Sequence, residues 1–467
     1  MLVVILSSYH HDSIPTLNAK GIFEFSSYRA KQEFVVGAKP MMTKWFQAHP
    51  DKPARVIADV SKVILLPLTL MDEVRNNHKL SFMAFVHRAF HADLPGFEGF
   101  AEGPRNEVLF STVINKDLTK HLNKVTEPLT EETALAVKDI FGDNPDWVSM
   151  PLRDASLRLV ARISSQWLKV TSEYANVGFR AGEALRMWPK HVRPIVNWFL
   201  PECKQARQLV ADARRIMKPV LEERQRQKRE GRTFDDAIEW MERESKGKYY
   251  DPAGAQLLLS IVAIHTTTDL LNQTLADLTA HPETFELLRK EIITELGEGG
   301  WKKTTLYNMK LLDSVLKESQ RLKPIGTASM RRVAQEDIKF SDGTFVRKGE
   351  MIAMPANAMW DSKVYEKPDT WDARRFLQMR ETPGKENLAH FVATSPIHLG
   401  FGHGMHACPG RFFASNELKI ALIHLLMKYD WRLPDGTDLK LRPFGFSLGA
   451  DPAMKLEFRR RKEDISI

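Results

Sequence analysis

The sequence predicts a mainly α protein with a minor β portion, and three observations predict it. From about Leu66 to Lys248 the residue pattern is mainly helical. The apolar segment from about Pro252 to Leu278 reads as one long buried helix. Beyond Pro324 the period shortens to two and turn residues appear, as in strands.

Residues 1–60 mix short apolar runs with Pro, Gly and Asp and are expected to be irregular or partly β. Leu2–Leu6 is apolar but far below the ~20 residues that cross a bilayer. It lacks the basic flank and small-residue cleavage site of a secretory signal. Two readings stay open for residues 1–6: a frayed start, or the remnant of a membrane anchor. Leu70–Arg75 reads as a helix, and Thr130, followed by two carboxylates, as the N-cap of another. Trp188–Leu200 combines apolar, aromatic and basic residues. It suits either an interfacial membrane contact or a hydrophobic loop packed on the body. Arg224–Arg229 is a basic stripe just after Glu222 and Glu223, read as a solvated helix face with no nucleic-acid partner.

In the long helix, Leu257, Leu258, Leu259, Ile261, Val262 and Ile264 make the first half apolar nearly all round. His265 and three threonines interrupt it before a membrane-spanning length is reached. Helices at about 282–296 and 306–322 follow, the second stopped by Pro324. Ile338–Phe340 and Thr344–Val346 flank Ser341-Asp-Gly343, a hairpin signal, and Met351–Met354 is a further strand. A helix from about Arg411 to Tyr429 and β-like ends complete the chain.

The 467 residues are 43% hydrophobic and 27% charged, which excludes a disordered tail or a fibrous repeat. Two cysteines, Cys203 and Cys408, exclude a disulfide scaffold and point to a reducing compartment. The net charge of +8 suits an acidic protein partner or an anionic membrane, or is a surface with a small excess of cations.

The strongest motif is Phe401-Gly-His-Gly404-Met-His406-Ala-Cys408-Pro-Gly410, directly before a helix. A chain of this composition would match Phe-x-x-Gly-x-x-x-Cys-x-Gly by chance about 3 × 10⁻⁴ times. A loop entering a helix sets the sulfur near backbone N–H groups and the positive end of the helix dipole, which favours thiolate. Gly404 and Gly410 allow tight backbone geometry there, and Phe401 can shield the sulfur. A lone cysteine cannot hold zinc or an iron–sulfur cluster, but it can be the single axial thiolate of a haem. The alternative is an inert cysteine in a glycine-rich turn. Cys203, outside any such pattern, reads as structural.

With these residues the sequence resembles the cytochrome P450 family, from about residue 60 onward. Glu318-Ser-Gln-Arg321, ninety residues before Cys408, matches the family's Glu-x-x-Arg, and Arg375 matches the arginine that joins it in a buried network. Ala373 and Trp371 stand where the family usually has Pro and Phe. His406 and Arg331, next to Arg332, match cation positions that meet the haem propionates. The family's early Trp-x-x-x-Arg is missing; Lys120, His121 or Lys124 stands in for its cation. On the oxygen-side helix, Ala263-Ile-His265-Thr266-Thr267-Thr268 places Thr267 on the family's threonine. Thr266 takes the usual acid's place and Ile264 replaces a glycine, which puts the usual acid-assisted proton relay in doubt. His265 or water is the candidate substitute proton source, and the alternative for His265 is a satisfied helix histidine. Fungal members of specialised metabolism carry a similar run.

The resemblance implies a P450 fold, one large domain over residues 1–467 around a buried haem b. It implies a monooxygenase acting on an apolar small molecule, such as a terpenoid or indole-terpenoid, with O2. Electrons would come from NADPH through a separate NADPH-cytochrome P450 reductase. A haem-thiolate isomerase or dehydratase and a non-enzymatic haem sensor are the competing readings. The expected location is the cytosolic face of the endoplasmic reticulum membrane, or the cytoplasm if the N-terminus is short, with peripheral membrane contact.

Overall fold

The structure is a computed structural model that describes residues 14–164, 168–437, 441–465 and 467. The expectation for residues 1–6 lies outside the described residues. Helix α1 (Tyr28–Ala48) corrects the expectation of an irregular or partly β start. Ala30, Phe34, Ala38 and Met42, four residues apart, form one buried stripe that holds the helix together. Gly37, at φ −118° and ψ 17°, bends it ahead of Pro40, so residues that read as breakers only kink it. The β part of the expectation holds in β1 (Ala54–Ile57), which pairs antiparallel with β2 (Lys62–Leu65) just beyond it.

Next come α2 (Met71–Arg75), β3 (Leu80–Ser81) and α3 (Phe82–Ala89), which Ser81 caps by accepting the Ala84 N–H at 3.0 Å. Helices α4 (Glu98–Arg105) and α5 (Glu107–Thr112) and a π-helical turn at Val113–Leu118 lead into α6 (Thr119–Phe141). Thr130 therefore lies inside a helix rather than capping one. Leu122, Thr126, Thr130, Thr133 and Val137 form a buried face, and its packing carries α6 through Pro128.

After β4 (Val148–Pro151), α7 (Leu152–Ser164) and α8 (Leu168–Arg186), the chain makes a tight turn at Lys190–Val192 and the short α9 (Arg193–Val196). Trp188, Ile195, Trp198 and Phe199 stand exposed there, so this segment is not simply packed on the body. On α10 (Pro201–Arg229) the basic stripe is a solvated face: Arg226 pairs with Glu223 and Glu230, and Lys228 with Glu239 and Glu242 of the next helix, α11 (Ala237–Ser245).

Asp251 opens α12 (Pro252–Ala280) by accepting the Ala253 N–H at 3.1 Å, and α13 (Glu283–Gly299) follows. The helix expected over 306–322 is two, α14 (Lys303–Asn308) and α15 (Lys310–Leu322), parted at Met309 with ψ 80°. The Glu291 carboxylate causes the restart: it accepts the Leu311 and Leu312 N–H groups at 2.7 and 2.9 Å, satisfying free donors at the new helix head.

Strand β5 (Ala328–Ala334) then enters a five-stranded sheet of order β1-β2-β8-β5-β3, in which β8 (Met351–Pro355) runs parallel to β2. The expected hairpin forms from β6 (Ile338–Lys339) and β7 (Phe345–Val346). Helices α16 (Arg375–Glu381), α17 (Glu386–Ala389) and α18 (Arg411–Lys428) complete the helical body, and β9 (Tyr429–Arg432), β10 (Leu441–Phe444), β11 (Ser447–Ala450) and β12 (Lys455–Arg460) close the chain. By length and composition α12 could cross a membrane, but it packs against α4, α7, α8, α10, α15 and α18 as the central helix of the fold.

Candidate functional site

The cysteine loop is built from short local bonds. The Cys408 N–H donates to Phe401 O at 2.8 Å, and the Ala407 N–H to Gly404 O at 2.9 Å, across a tight turn at Gly404–His406. Gly402 and Gly404 take φ +69° and +79°, where a side chain is strained. At Gly404 a Cβ would also meet Arg75 O at 2.3 Å. Gly410, in contrast, has φ −82° and nothing within 4 Å of its Cβ position, so it keeps space open at the head of α18 rather than permitting a twist. Every residue from Phe401 to Ala414 retains some open surface, whereas Ser415–Met427 are buried.

The Cys408 thiol is pushed up by burial, while the Gly410 and Arg411 backbone N–H groups and the Arg411 charge favour the thiolate. A metal on the sulfur would tip this balance outright to thiolate. Phe401 packs edge-on against Phe391 with centroids 5.1 Å apart, walling one side of the loop. The single soft donor, the N–H groups directed at it and the open inner face of the loop fit an axial haem ligand. Cys203 is a fully buried thiol, consistent with its structural reading. Among the described residues no cluster of three metal-binding side chains occurs.

The cation corner differs in detail from the expectation. Arg332, rather than Arg331, stands beside His406: both neighbour Glu107 and lie against Phe82. Arg331 lies over Phe85, toward Asp59 and Arg186. A bulge between Ser329 and Arg332, with Met330 at φ +50°, disturbs the strand alternation here. Burial lowers both arginines to about 10 and His406 to about 4, and Glu107 is raised by burial. Buried cations this poorly paired suit an anionic ligand group. Of the expected substitutes on α6, His121 and Lys124 turn instead to Asp235, with His121 stacked on Trp240 at 5.3 Å, while Lys120 is exposed.

The three-residue network assembles beneath the loop. Arg321 grips Glu318 through two bonds of 2.8 and 2.9 Å and also donates to Met359 O and Pro368 O. Arg375 Nε donates at 2.9 Å to Glu318 Oε1, which also accepts from Arg321. Glu318 and Arg321 are fully buried. Trp371 donates to Ser319 Oγ at 3.1 Å, and the Ala373 carbonyl accepts from Ser314 Oγ at 2.6 Å, so both departures from the family pattern are integrated. The sequence reading missed a second network one turn away: Asp313 of α15 is clasped by Lys419 of α18 and Arg380 of α16. Its signal was available, since Glu417 and Lys419 are charged residues in the otherwise apolar stretch of α18.

On α12, Thr267 and Thr268 are buried while Val262 and Thr266 form an open stripe. Thr266 Oγ1 donates to Val262 O at 3.1 Å. His265 lies edge-on to Phe179 with centroids 5.3 Å apart, and burial holds it near a pKa of about 4. Thr267 meets Glu417 of α18, whose carboxyl burial pushes up to about 8 against the Ser164 and Thr267 hydroxyls. A cavity of about 1310 Å³ lies elsewhere, lined in part by Met83, His87, Leu94, Glu107 and Val333. It reaches Glu107, which neighbours His406, and neither Cys408 nor Thr267 lines it.

Comparison with known proteins agrees with this geometry. The Cytochrome P450 family profile matches residues 145–455. The chain is similar to the cytochrome P450 monooxygenase hepE of Aspergillus oryzae, 48% identical over 96% of this chain and 86% of that protein. It is 47% identical to cytochrome P450 monooxygenase 1 of Gibberella fujikuroi, over 90% of this chain and 100% of the relative. It is 43% identical to the cytochrome P450 monooxygenase TRI1 of Fusarium sporotrichioides, over 96% and 86%. The profile spans both the buried ion network and the cysteine loop, and the relatives match nearly end to end: this chain belongs to the cytochrome P450 family of haem-iron monooxygenases.

Proposed function

We propose that the protein oxidises an apolar small molecule of fungal secondary metabolism, with Cys408 as the axial ligand of haem b. Haem iron, when bound, supplies the activation of O2. The observation that carries the reading is Cys408 at the head of α18, with the Gly410 and Arg411 N–H groups favouring its thiolate. Those N–H groups stabilise charge on the sulfur and tune its donation. Arg332 and His406, with Arg331 behind them, neutralise the haem carboxylates. Phe401 keeps water from the sulfur, Gly404 seats the loop, and Gly410 leaves room at the helix head. Thr267 holds and moves a proton on the oxygen side, with Thr266 beside it on the open face. Glu318, Arg321 and Arg375 hold the floor of the site in place.

Electrons reach the protein from NADPH through a separate reductase, whose acidic docking face the net charge of +8 suits. The exposed Trp188, Ile195, Trp198 and Phe199, with Lys190 and Arg193 among them, support peripheral contact with the endoplasmic reticulum membrane on its cytosolic side. Terpenoids or indole-terpenoids are the class to screen first by substrate-induced spin-state shift.

The deciding experiment is the carbon-monoxide difference spectrum of the reduced protein. The parent chain gives the thiolate-type Soret band and Cys408→Ser loses it. Absence of that band from the parent protein refutes the assignment.

A further inference from the structure

We propose that the cavity of about 1310 Å³ is a binding site for an amphiphilic organic acid, a small molecule with an apolar body and one carboxylate. Neither Cys408 nor Thr267 lines this place, so the proposal stands apart from the haem-thiolate reading.

The walls carry an excess of positive charge. Arg88, Lys190, Arg193 and Lys348 face two carboxylates, Asp93 and Glu107. None of the four cations forms an ion pair among the described residues. Glu107 neighbours His406 instead, at 3.7 Å, and Asp93 is exposed. Cations elsewhere on the surface are neutralised: Arg226 and Lys228 on α10 each hold two carboxylates.

Backbone carbonyls keep the bare cations in place. Arg88, near the end of α3, donates Nη1 to Gly349 O at 2.6 Å, the residue after Lys348. This ties two cations from distant parts of the chain to one edge of the cavity. Arg193, at the start of α9, donates Nε to Trp188 O at 2.9 Å and Nη2 to Arg186 O at 3.5 Å. A carbonyl fixes a guanidinium without cancelling its charge, and each guanidinium has five N–H donors. Arg88 and Arg193 therefore keep donors to give. Both are half-buried, so their charge is screened less than on an open surface. Burial and the Arg186 charge push the Arg193 guanidinium down, a strain that a bound anion relieves.

Apolar side chains supply the other half of the site. Met83 of α3, Leu94 and Val333 of β5 line the same cavity, and the last two are buried. Mostly apolar walls with a few placed polar groups are the usual form of a small-molecule pocket, for which about 300–1,000 Å³ suffices. A bare inorganic anion would leave the apolar wall uncovered. A neutral hydrocarbon would leave the cations unpaired. An amphiphilic acid answers both. Lys190 and Arg193 also border the exposed Trp188 and Trp198, so an anionic lipid headgroup shares part of this chemistry.

The test is isothermal titration calorimetry of the haem-loaded full chain with octanoate, octan-1-ol and acetate, all without vesicles, so that no lipid headgroup accounts for the binding. Octanoate binds the parent about tenfold or more tightly than octan-1-ol, as one charge-assisted contact provides. It also exceeds acetate by about tenfold or more, because its chain covers the apolar wall. Added salt weakens octanoate and leaves octan-1-ol unchanged. Arg88→Gln and Arg193→Gln each weaken octanoate about tenfold, and the exposed Lys348→Gln about threefold, with octan-1-ol within about twofold of the parent throughout.

Equal binding of octanoate and octan-1-ol by the parent overturns the proposal, as does equal binding of octanoate and acetate. Octanoate binding that none of the three variants changes overturns it too, because the acid then sits elsewhere. If Arg88→Gln does not fold for want of its bond to Gly349 O, Arg193→Gln and Lys348→Gln decide. None of these readouts is the thiolate-type Soret band, whose absence would refute the haem-thiolate reading separately.

Discussion

Replacing Arg321 by Ala removes the most heavily bonded buried side chain of the network. Its guanidinium is fully buried and holds Glu318 at 2.8 and 2.9 Å, Met359 O at 2.6 Å and Pro368 O at 2.8 Å. After truncation Glu318 keeps Arg375 Nε at 2.9 Å and the Asp372 N–H at 3.2 Å, and two backbone carbonyls lose their donor. Breaking a buried ion pair costs about 3–5 kcal/mol. Each stranded carbonyl adds about 1–3 kcal/mol. The sum, about 5 kcal/mol or more, is comparable to a typical folding margin of ~5–15 kcal/mol. Arg375→Ala is milder, because Arg375 is partly exposed and Glu318 retains both Arg321 bonds. The loss there is about 1.5–3 kcal/mol, that of a hydrogen bond to a charged group. The assay is urea unfolding followed by far-UV circular dichroism, at one fixed haem concentration because ligand binding shifts the midpoint. Arg321→Ala should unfold at clearly lower urea than Arg375→Ala, or fail to accumulate folded. Equal midpoints for the two variants, or a loss below about 1 kcal/mol for Arg321→Ala, would refute the reasoning.

Arg332→Ala should speed haem transfer to apomyoglobin about tenfold, equivalent to ~1.4 kcal/mol, and more than Arg331→Ala does; the reverse order would place the wrong arginine at the haem carboxylates. Glu417 makes stability pH-dependent. Its carboxyl is raised from 4.5 to about 8, so the folded chain holds a proton that the unfolded chain releases, and stability falls as pH rises through that window. Glu417→Gln removes this fall, so its thermal midpoint relative to the parent should climb between about pH 5 and pH 8; a difference independent of pH contradicts a neutral Glu417. Trp198→Ser and Phe199→Ser should each weaken sedimentation with phosphatidylcholine–phosphatidylserine vesicles about tenfold or more, since each ring carries about 1.5–3 kcal/mol of apolar burial. Unchanged sedimentation removes the membrane surface.

Local order was the legible part of the sequence. The cysteine loop is contiguous, its bonds run between residues a few positions apart, and the motif named them. The heart of α12 was readable because its apolar half has no polar face to confuse it. What failed depends on distant partners. Gly37 and Pro40 read as breakers because the stripe of Ala30, Phe34, Ala38 and Met42 that overrides them works only against the β-sheet side of the fold. That Arg332 stands beside His406 while Arg331 turns toward Asp59 depends on a bulge formed against β8, a partner that spacing does not reveal. Glu417 drew no reading from the sequence, because its hydrogen-bond partner Ser164 lies 253 residues away.

The close fit of Gly404 against Arg75 also bears on how the protein is made. The Met405 N–H donates to Asn76 Oδ1 at 3.0 Å, tying the cysteine loop to a segment 329 residues earlier in the chain. At ~5–20 residues per second, a ribosome needs on the order of tens of seconds to produce that intervening stretch. The α2 end of the contact is therefore synthesised well before the loop it meets. Cofactor capture by the proposed ligand Cys408 therefore follows synthesis of both segments, and until then the two stay apart in the nascent chain. Slow synthesis between the two segments would lengthen the time for which the α2 end lacks this contact.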